Sequence, residues 1–179
     1  MINLTYYSGS ALTNCMVSII LASFFYAKKS KQKFFILFNV GIAFWSFFYF
    51  LWQISYTYYW SFLFCRLLMV GATLIPYFFL NFARQYLELE NNRIFKAINS
   101  INILCVFIFI QLFFTNLIIR ELEPILTFPF WPKGGFVFPI FLFYFLINVI
   151  ISLWALFNKF LKTKKIKDFY VFLGTLIAF

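Results

Sequence analysis

The sequence predicts an all-α fold: a polytopic transmembrane helix bundle of five full helices plus a truncated sixth, with its N-terminus outside. Three observations predict it. Of the 179 residues, 64% are hydrophobic and 11% charged, and the mean hydropathy is +0.91, where a soluble domain carries roughly 25% charged residues. The apolar residues gather into runs near the ~20 residues that one membrane crossing needs. The basic residues gather in alternate connectors between those runs, the pattern that orients membrane helices. Runs at about 11–27, 34–54, 58–83, 97–119, 140–157 and 169–179 use most of the chain. Residues 1–179 therefore read as a single transmembrane domain without a soluble domain, whose first partner is the lipid bilayer.

The first run, Ala11 to Ala27, follows an N-terminus without a basic residue and precedes Lys28, Lys29, Lys31 and Lys33. A secretory signal has the opposite charge order, so this run is a retained helix. Ser18 and Ala22 give it a stripe for close packing. The second run, Phe34 to Ile54, carries Asn39, Gly41, Ser46 and Gln53 and leads into YTYYW at 56–60. Tyr and Trp concentrated there form an interfacial belt.

The third run organises the rest. It holds Arg66, Gly71 and Pro76 and closes on Arg84. At ~1.5 Å per residue from Trp60, Arg66 lies about 9 Å, Gly71 about 16 Å and Pro76 about 24 Å below the outer boundary. An arginine inside hydrocarbon costs several kcal/mol unless it turns toward protein or water. Two readings stay open. Arg66 faces the bundle, to bind an anionic ligand or lock Asn39, Gln53 or Asn148 in one signalling state, or it snorkels outward or satisfies helix-end carbonyls. Pro76 removes a backbone donor and crowds the carbonyl of Ala72, which predicts a kink that Thr73 helps to satisfy. With Gly71 it makes a candidate hinge; the plainer reading is a packing kink.

The connector from Arg84 to Lys96 is water-exposed, with Glu88, Glu90, Asn91 and Asn92. The fourth run carries Asn102 and Gln111. Residues 120–139 hold four prolines and the pair Gly134 and Gly135, so they read as irregular structure lying against the interface. The fifth run carries Asn148, Ser152 and Trp154, and the lysine-rich stretch 159–168 follows. The sixth run, 169–179, has 11 residues, about 16 Å of helix, and reads as truncated.

The first, third and fifth connectors hold four, three and five basic residues, against none and two in the second and fourth. Basic excess marks the cytoplasmic side. The N-terminus is therefore outside, and a cytosolic module needs a seventh helix. The +10 net charge serves topology, and no groove or motif in it points to nucleic acid.

Catalysis has little to work with. The chain has no histidine, and its acids, Glu88, Glu90, Glu121, Glu123 and Asp168, all sit in connectors. Glu121 and Glu123 are an acid–base pair only in outline; with Arg120 beside them they read as a solvated loop. Cys15, Cys65 and Cys105 are scattered through apolar runs as small buried side chains. No cofactor or metal site is expected, and the chain is not read as an enzyme.

Three segments resemble a known family, the N-terminal seven-helix region of bacterial and archaeal sensor histidine kinases, found also ahead of some diguanylate cyclases. They are LFNVGIAFWSFFYFLWQIS, FCRLLMVGATLIPYFFLNFARQYLE, and the stretch from FPIFLFYF to the C-terminus. The order Arg66, Gly71, Ala72, Pro76 carries most of the likeness, which covers roughly residues 9–179. The chain departs from the pattern in its 31 phenylalanines and in Arg84 and Gln85. The resemblance implies a sensory region of the cell membrane that passes a stimulus to a cytosolic kinase or cyclase module.

The leading expectation is thus a non-catalytic, multi-pass sensory domain, acting as a dimer with its effector, its ligand unknown. The alternative is a small transporter or channel subunit. Against it, the spans carry one arginine and no acid, and no internal repeat is visible.

Overall fold

A computed structural model of the protein describes residues 5–89, 93–125 and 128–177. Among them are six helices and one hairpin: α1 Tyr6–Ala27, α2 Lys33–Ile54, α3 Tyr58–Tyr86, α4 Arg93–Phe113, β1 Ile119–Ile125, β2 Phe128–Gly134, α5 Phe138–Thr163 and α6 Ile166–Ile177. The helices α1 to α5 are each long and apolar enough to cross a membrane. Glu90, Asn91 and Asn92, expected to be water-exposed, and Ala178 and Phe179 at the end of the sixth run lie outside the described residues.

Helix α1 starts at Tyr6 because Thr5 and Ser8 cap it reciprocally. The Ser8 N–H donates to Thr5 Oγ1 at 3.2 Å and the Thr5 N–H to Ser8 Oγ at 2.9 Å, a capping box with serine in place of the usual Glu or Gln. Its buried face is Ser8, Ala11, Cys15, Ser18 and Ala22, and Asn14 Nδ2 donates to Ser46 Oγ of α2 at 2.8 Å.

Helix α3 packs against α2, α4, α5 and both strands. Its contact with α2 is close at one point. A Cβ on Gly71 would stand 3.0 Å from the Trp45 N, Cα and Cβ atoms, so glycine lets the two backbones approach. The buried core forms two clusters along α3. One, around Trp52, Cys65, Ala72, Phe109, Phe113 and Tyr144, fills the outer half. The other, around Phe38, Ile75, Phe79, Phe82, Val149 and Leu156, fills the inner half. They meet at the turn that precedes Pro76.

The connector expected to be irregular is instead an antiparallel hairpin, pairing Ile119 with Gly134, Glu121 with Lys133, Leu122 with Pro132, Glu123 with Trp131 and Ile125 with Phe128. Proline is excluded from central strands because it lacks a ladder donor. A two-stranded ribbon has only edge strands, and Pro124 falls where the register shifts between Glu123 and Ile125. The hairpin covers the outer end of the bundle. Trp52 Nε1 donates to the Phe130 carbonyl at 2.7 Å, and the Leu122 N–H to the Tyr58 hydroxyl at 3.4 Å. Gly135 closes its base, since a Cβ there would lie 2.3 Å from the Leu117 carbonyl oxygen.

Helix α4 ends at Phe113, short of the expected 119. Thr115 Oγ1 donates to the Leu112 carbonyl at 2.6 Å and accepts from the Leu117 N–H at 3.3 Å, an alternative to further helical bonds. Ile118 and Ile119, which lead into the hairpin and begin its first strand, are then buried. Helix α5 runs past the expected 157 to Thr163, where Phe160 packs against Phe169 and Phe157 against Phe172, with tilted rings whose centroids are 5.2 Å apart.

The helices α1, α3 and α5 end alike. Each is followed by a left-handed residue that is not glycine: Lys29, Glu88 and Lys164, with φ of 48°, 58° and 52°. The residue after the first two bonds back across the turn, Ser30 N to Phe25 O at 3.1 Å and Leu89 N to Arg84 O at 3.0 Å, as in Schellman caps.

Candidate functional site

The candidate residues divide between the two ends of α3. Arg66 lies two turns below the start of α3 and is partly buried. Its Nη2 donates to Asn116 Oδ1 in the turn after α4 at 3.0 Å, and its guanidinium carbon sits 4.2 Å from the Phe62 ring centroid, a cation–π contact. Its Nε is buried without a partner among the described residues. Arg66 thus reaches the outer turn, away from the other candidate polar residues.

Those residues do not converge. Asn39 Nδ2 donates to the Phe35 carbonyl and Asn148 Nδ2 to the Tyr144 carbonyl, both at 2.8 Å, so each bonds back onto its own helix. Gln53 lies at the outer end of α2 beside Phe128 and Pro129 of the hairpin, and its Nε2 is buried without a partner among the described residues.

Close to Pro76, α5 bonds to α3, at the carbonyl next to that of Ala72, which proline leaves without a backbone donor. Helix α3 continues through the buried Pro76, and the hydroxyl of Tyr144 donates to the Thr73 carbonyl at 3.2 Å. The hydroxyl of Thr73 itself donates to the Met69 carbonyl at 3.0 Å, one turn above the carbonyl that proline leaves bare. Sequence reasoning missed Tyr144. Its signal was available: a tyrosine in mid-span needs a partner for its hydroxyl.

The last turn of α3 holds the second group, which sequence reasoning also missed. Gln85 Nε2 donates to the Lys31 carbonyl at 2.8 Å, and the Phe34 N–H donates to Gln85 Oε1 at 3.4 Å. The amide of Gln85 therefore ties α3 to the connector between α1 and α2. The next residue ties α3 to α5 and α6. The Tyr86 hydroxyl donates to Asp168 Oδ1 at 2.6 Å, the Thr163 hydroxyl to Asp168 Oδ2 at 2.5 Å, and Lys159 Nζ to the Tyr86 carbonyl at 2.9 Å. Lys159 Nζ also lies 4.2 Å from the centre of the Tyr86 ring.

Asp168 is buried, and the hydrogen bonds from Thr163 and then Tyr86 hold its carboxyl below the usual carboxylate range, with Lys159 and Lys165 adding to them against desolvation. It is a charge-assisted acceptor, the stronger class of hydrogen bond. At the other end, the two acids expected to lie in a solvated loop beside Arg120 sit on the hairpin strand β1. Glu121 and Glu123 both face Lys133, at 3.5 and 2.5 Å, and that pairing raises the lysine pKa.

The geometry ties α3 to the outer cap at one end and to two connectors at the other, with a proline and a second core cluster between. A family model described as the N-terminal 7TM region of histidine kinase matches residues 11–179. The chain belongs to this family. The match runs from the second turn of α1 through all of α6, so the Arg66, Pro76, Tyr86 and Asp168 positions lie inside the 7TM region. Five apolar helices within one 7TM region make the chain a multi-pass membrane protein. No curated protein and no solved structure is recognisably similar to it.

Proposed function

We propose that residues 1–179 form a single signal-input domain of the cell membrane, which passes a stimulus to a cytosolic kinase or cyclase module of a histidine-kinase-type receptor that works as a dimer. One observation carries the reading. Two consecutive residues at the end of α3, Gln85 and Tyr86, hold the connector before α2 and the start of α6. A displacement of the inner half of α3 therefore reaches both connectors.

In this reading Arg66 anchors the outer end of α3 through Asn116, and Gly71 and Pro76 let the inner half move against it. A hinge needs only a few residues that absorb a backbone change, and glycine and proline are where a helix bends most readily. Gln53 beside the hairpin, and Asn39 and Asn148 once they leave the carbonyls of their own helices, are then the polar groups for a ligand or the second signalling state. Tyr144 holds α5 to α3 at the Thr73 carbonyl, one turn before Pro76, and changes partner when the two helices shift.

The test is made in the parent receptor, in membranes, with effector output as the readout. Tyr86→Phe removes one hydroxyl and keeps the ring. It is expected to shift the basal on–off ratio about tenfold, the size of one hydrogen bond to a charged group. Asp168→Asn should move it in the same direction, and Pro76→Ala should blunt the stimulus response. Unchanged basal output and response in all three variants, at normal membrane insertion, would remove the coupling role.

A further inference from the structure

Two grooves lie end to end along the seam between α1 and α2. The upper, of about 390 Å³, is lined by Cys15, Ile19, Ala22 and Ser23 of α1 and by Val40, Ala43, Phe44 and Phe47 of α2. The lower, of about 670 Å³, is lined by Tyr26, Ala27, Lys29 and Ser30 and by Lys33, Ile36 and Leu37. Positions 15, 19, 22, 23, 26 and 27 recur at helical spacing on one face of α1, and 36, 37, 40, 43, 44 and 47 do so on α2. The two grooves thus follow one another along the same faces of α1 and α2, the upper mostly apolar and the lower bearing Lys29 and Lys33.

Their dimensions and charge select the occupant. From Lys29 to Cys15 the two grooves together follow about 21 Å along α1, more than the ~15 Å of hydrocarbon in one leaflet. That length takes a headgroup and one extended acyl chain. The connector at the lower groove carries four lysines and no acid. Lys28 Nζ lies against the Phe24 ring at 4.4 Å, whereas Lys29 and Lys33 line the groove. Gln85, the residue of α3 bonded to this connector, is neutral.

We propose that the α1–α2 seam binds one anionic phospholipid of the cytosolic leaflet, its phosphate between Lys29 and Lys33 and one acyl chain against Ala22, Ala43 and Phe47. Basic pockets between membrane helices on the cytosolic side recognise anionic headgroups by this chemistry. The site is independent of the signalling reading, because it needs only the groove and the threading. It also gives the narrow seam between α1 and α2, where small side chains leave the groove, a molecule that fills it.

The test uses the purified 179-residue chain in detergent, titrated with phosphatidylglycerol or phosphatidylcholine, with retained lipid read by native mass spectrometry. Phosphatidylglycerol is expected to be retained at least tenfold over phosphatidylcholine, on the scale of two lysines meeting an anionic headgroup. Lys29→Gln with Lys33→Gln should cost about tenfold in that affinity, while Lys162→Gln with Lys167→Gln, the same charge loss elsewhere, should cost less than about twofold. Val40→Trp, which fills the upper groove from an exposed position, should lower retention with helix content unchanged. Equal losses from both lysine pairs, equal retention of the two lipids, glycerol phosphate binding as well as the lipid, or a dimer that excludes lipid through this face would each overturn the site.

Discussion

At the residue scale, Gly71 and Gly41 make a controlled pair, both in α-helices and both on the seam between α2 and α3. Glycine in a helix interior ordinarily costs up to ~1 kcal/mol against alanine. Gly41 obeys that rule, because an added Cβ would meet Phe78 and Ile75 side chains at an ordinary 3.5 to 3.6 Å. Gly71 reverses it, because its Cβ would press on the backbone of Trp45 at 3.0 Å. Gly41→Ala is expected to be neutral or stabilising, and Gly71→Ala to destabilise by about 1–3 kcal/mol, the usual cost of overpacking. Thermal unfolding of both variants in detergent decides this. A gain at both positions would show that the close approach is absent in solution. Arg66, Gly71 and Pro76 were legible in the sequence because each breaks an apolar run. The partners of Tyr144 and Tyr86 were not, since Thr73 and Asp168 lie 71 and 82 positions away in the chain.

At the element scale, the helices were legible as runs and their ends were not. Apolar length places a span, but α1, α4 and α5 end where capping and side-chain bonds decide, at Thr5, Thr115 and Lys164. The hairpin was hidden for a related reason. Its prolines argue against a strand in isolation, and what permits the ribbon is its docking on α2 and α3. That docking rests on the indole of Trp52, whose ring packs on Trp131 at 5.5 Å while its N–H bonds the Phe130 carbonyl. Trp52→Phe keeps most of the packing and removes the donor, at about 1 kcal/mol for the lost bond. Amide exchange over 128–134 should then quicken about fivefold, with exchange in the inner half of α3 unchanged. Unchanged exchange over 128–134 would mean that packing alone holds the ribbon down.

At the scale of the whole molecule, charge and geometry agree about which end is which. The positive-inside rule uses only the uneven count of basic residues. The fold adds an independent fact: the first connector, the end of α3 and the α5–α6 turn are fastened to one another through Gln85, Tyr86 and Asp168, so three lysine- or arginine-bearing connectors occupy one end. The other end carries the hairpin, Arg66 with Asn116, and the aromatic residues 56–60. Helix dipoles reinforce the arrangement, because lysines follow the C-termini of α1 and α5, where cations are favoured. The expected outcome follows for single cysteines placed in a background with Cys15, Cys65 and Cys105 changed to serine. Lys29→Cys should react with an impermeant maleimide only after the membrane is opened, and Lys133→Cys should react in intact cells. The reverse pattern would invert the threading and would place the lysine-lined mouth of the α1–α2 groove against the outer leaflet. Reaction of both sites in intact cells would instead mean that these two ends do not lie on opposite sides of the membrane. Either result would separate the fold, which rests on packing, from the direction of signalling, which rests on charge.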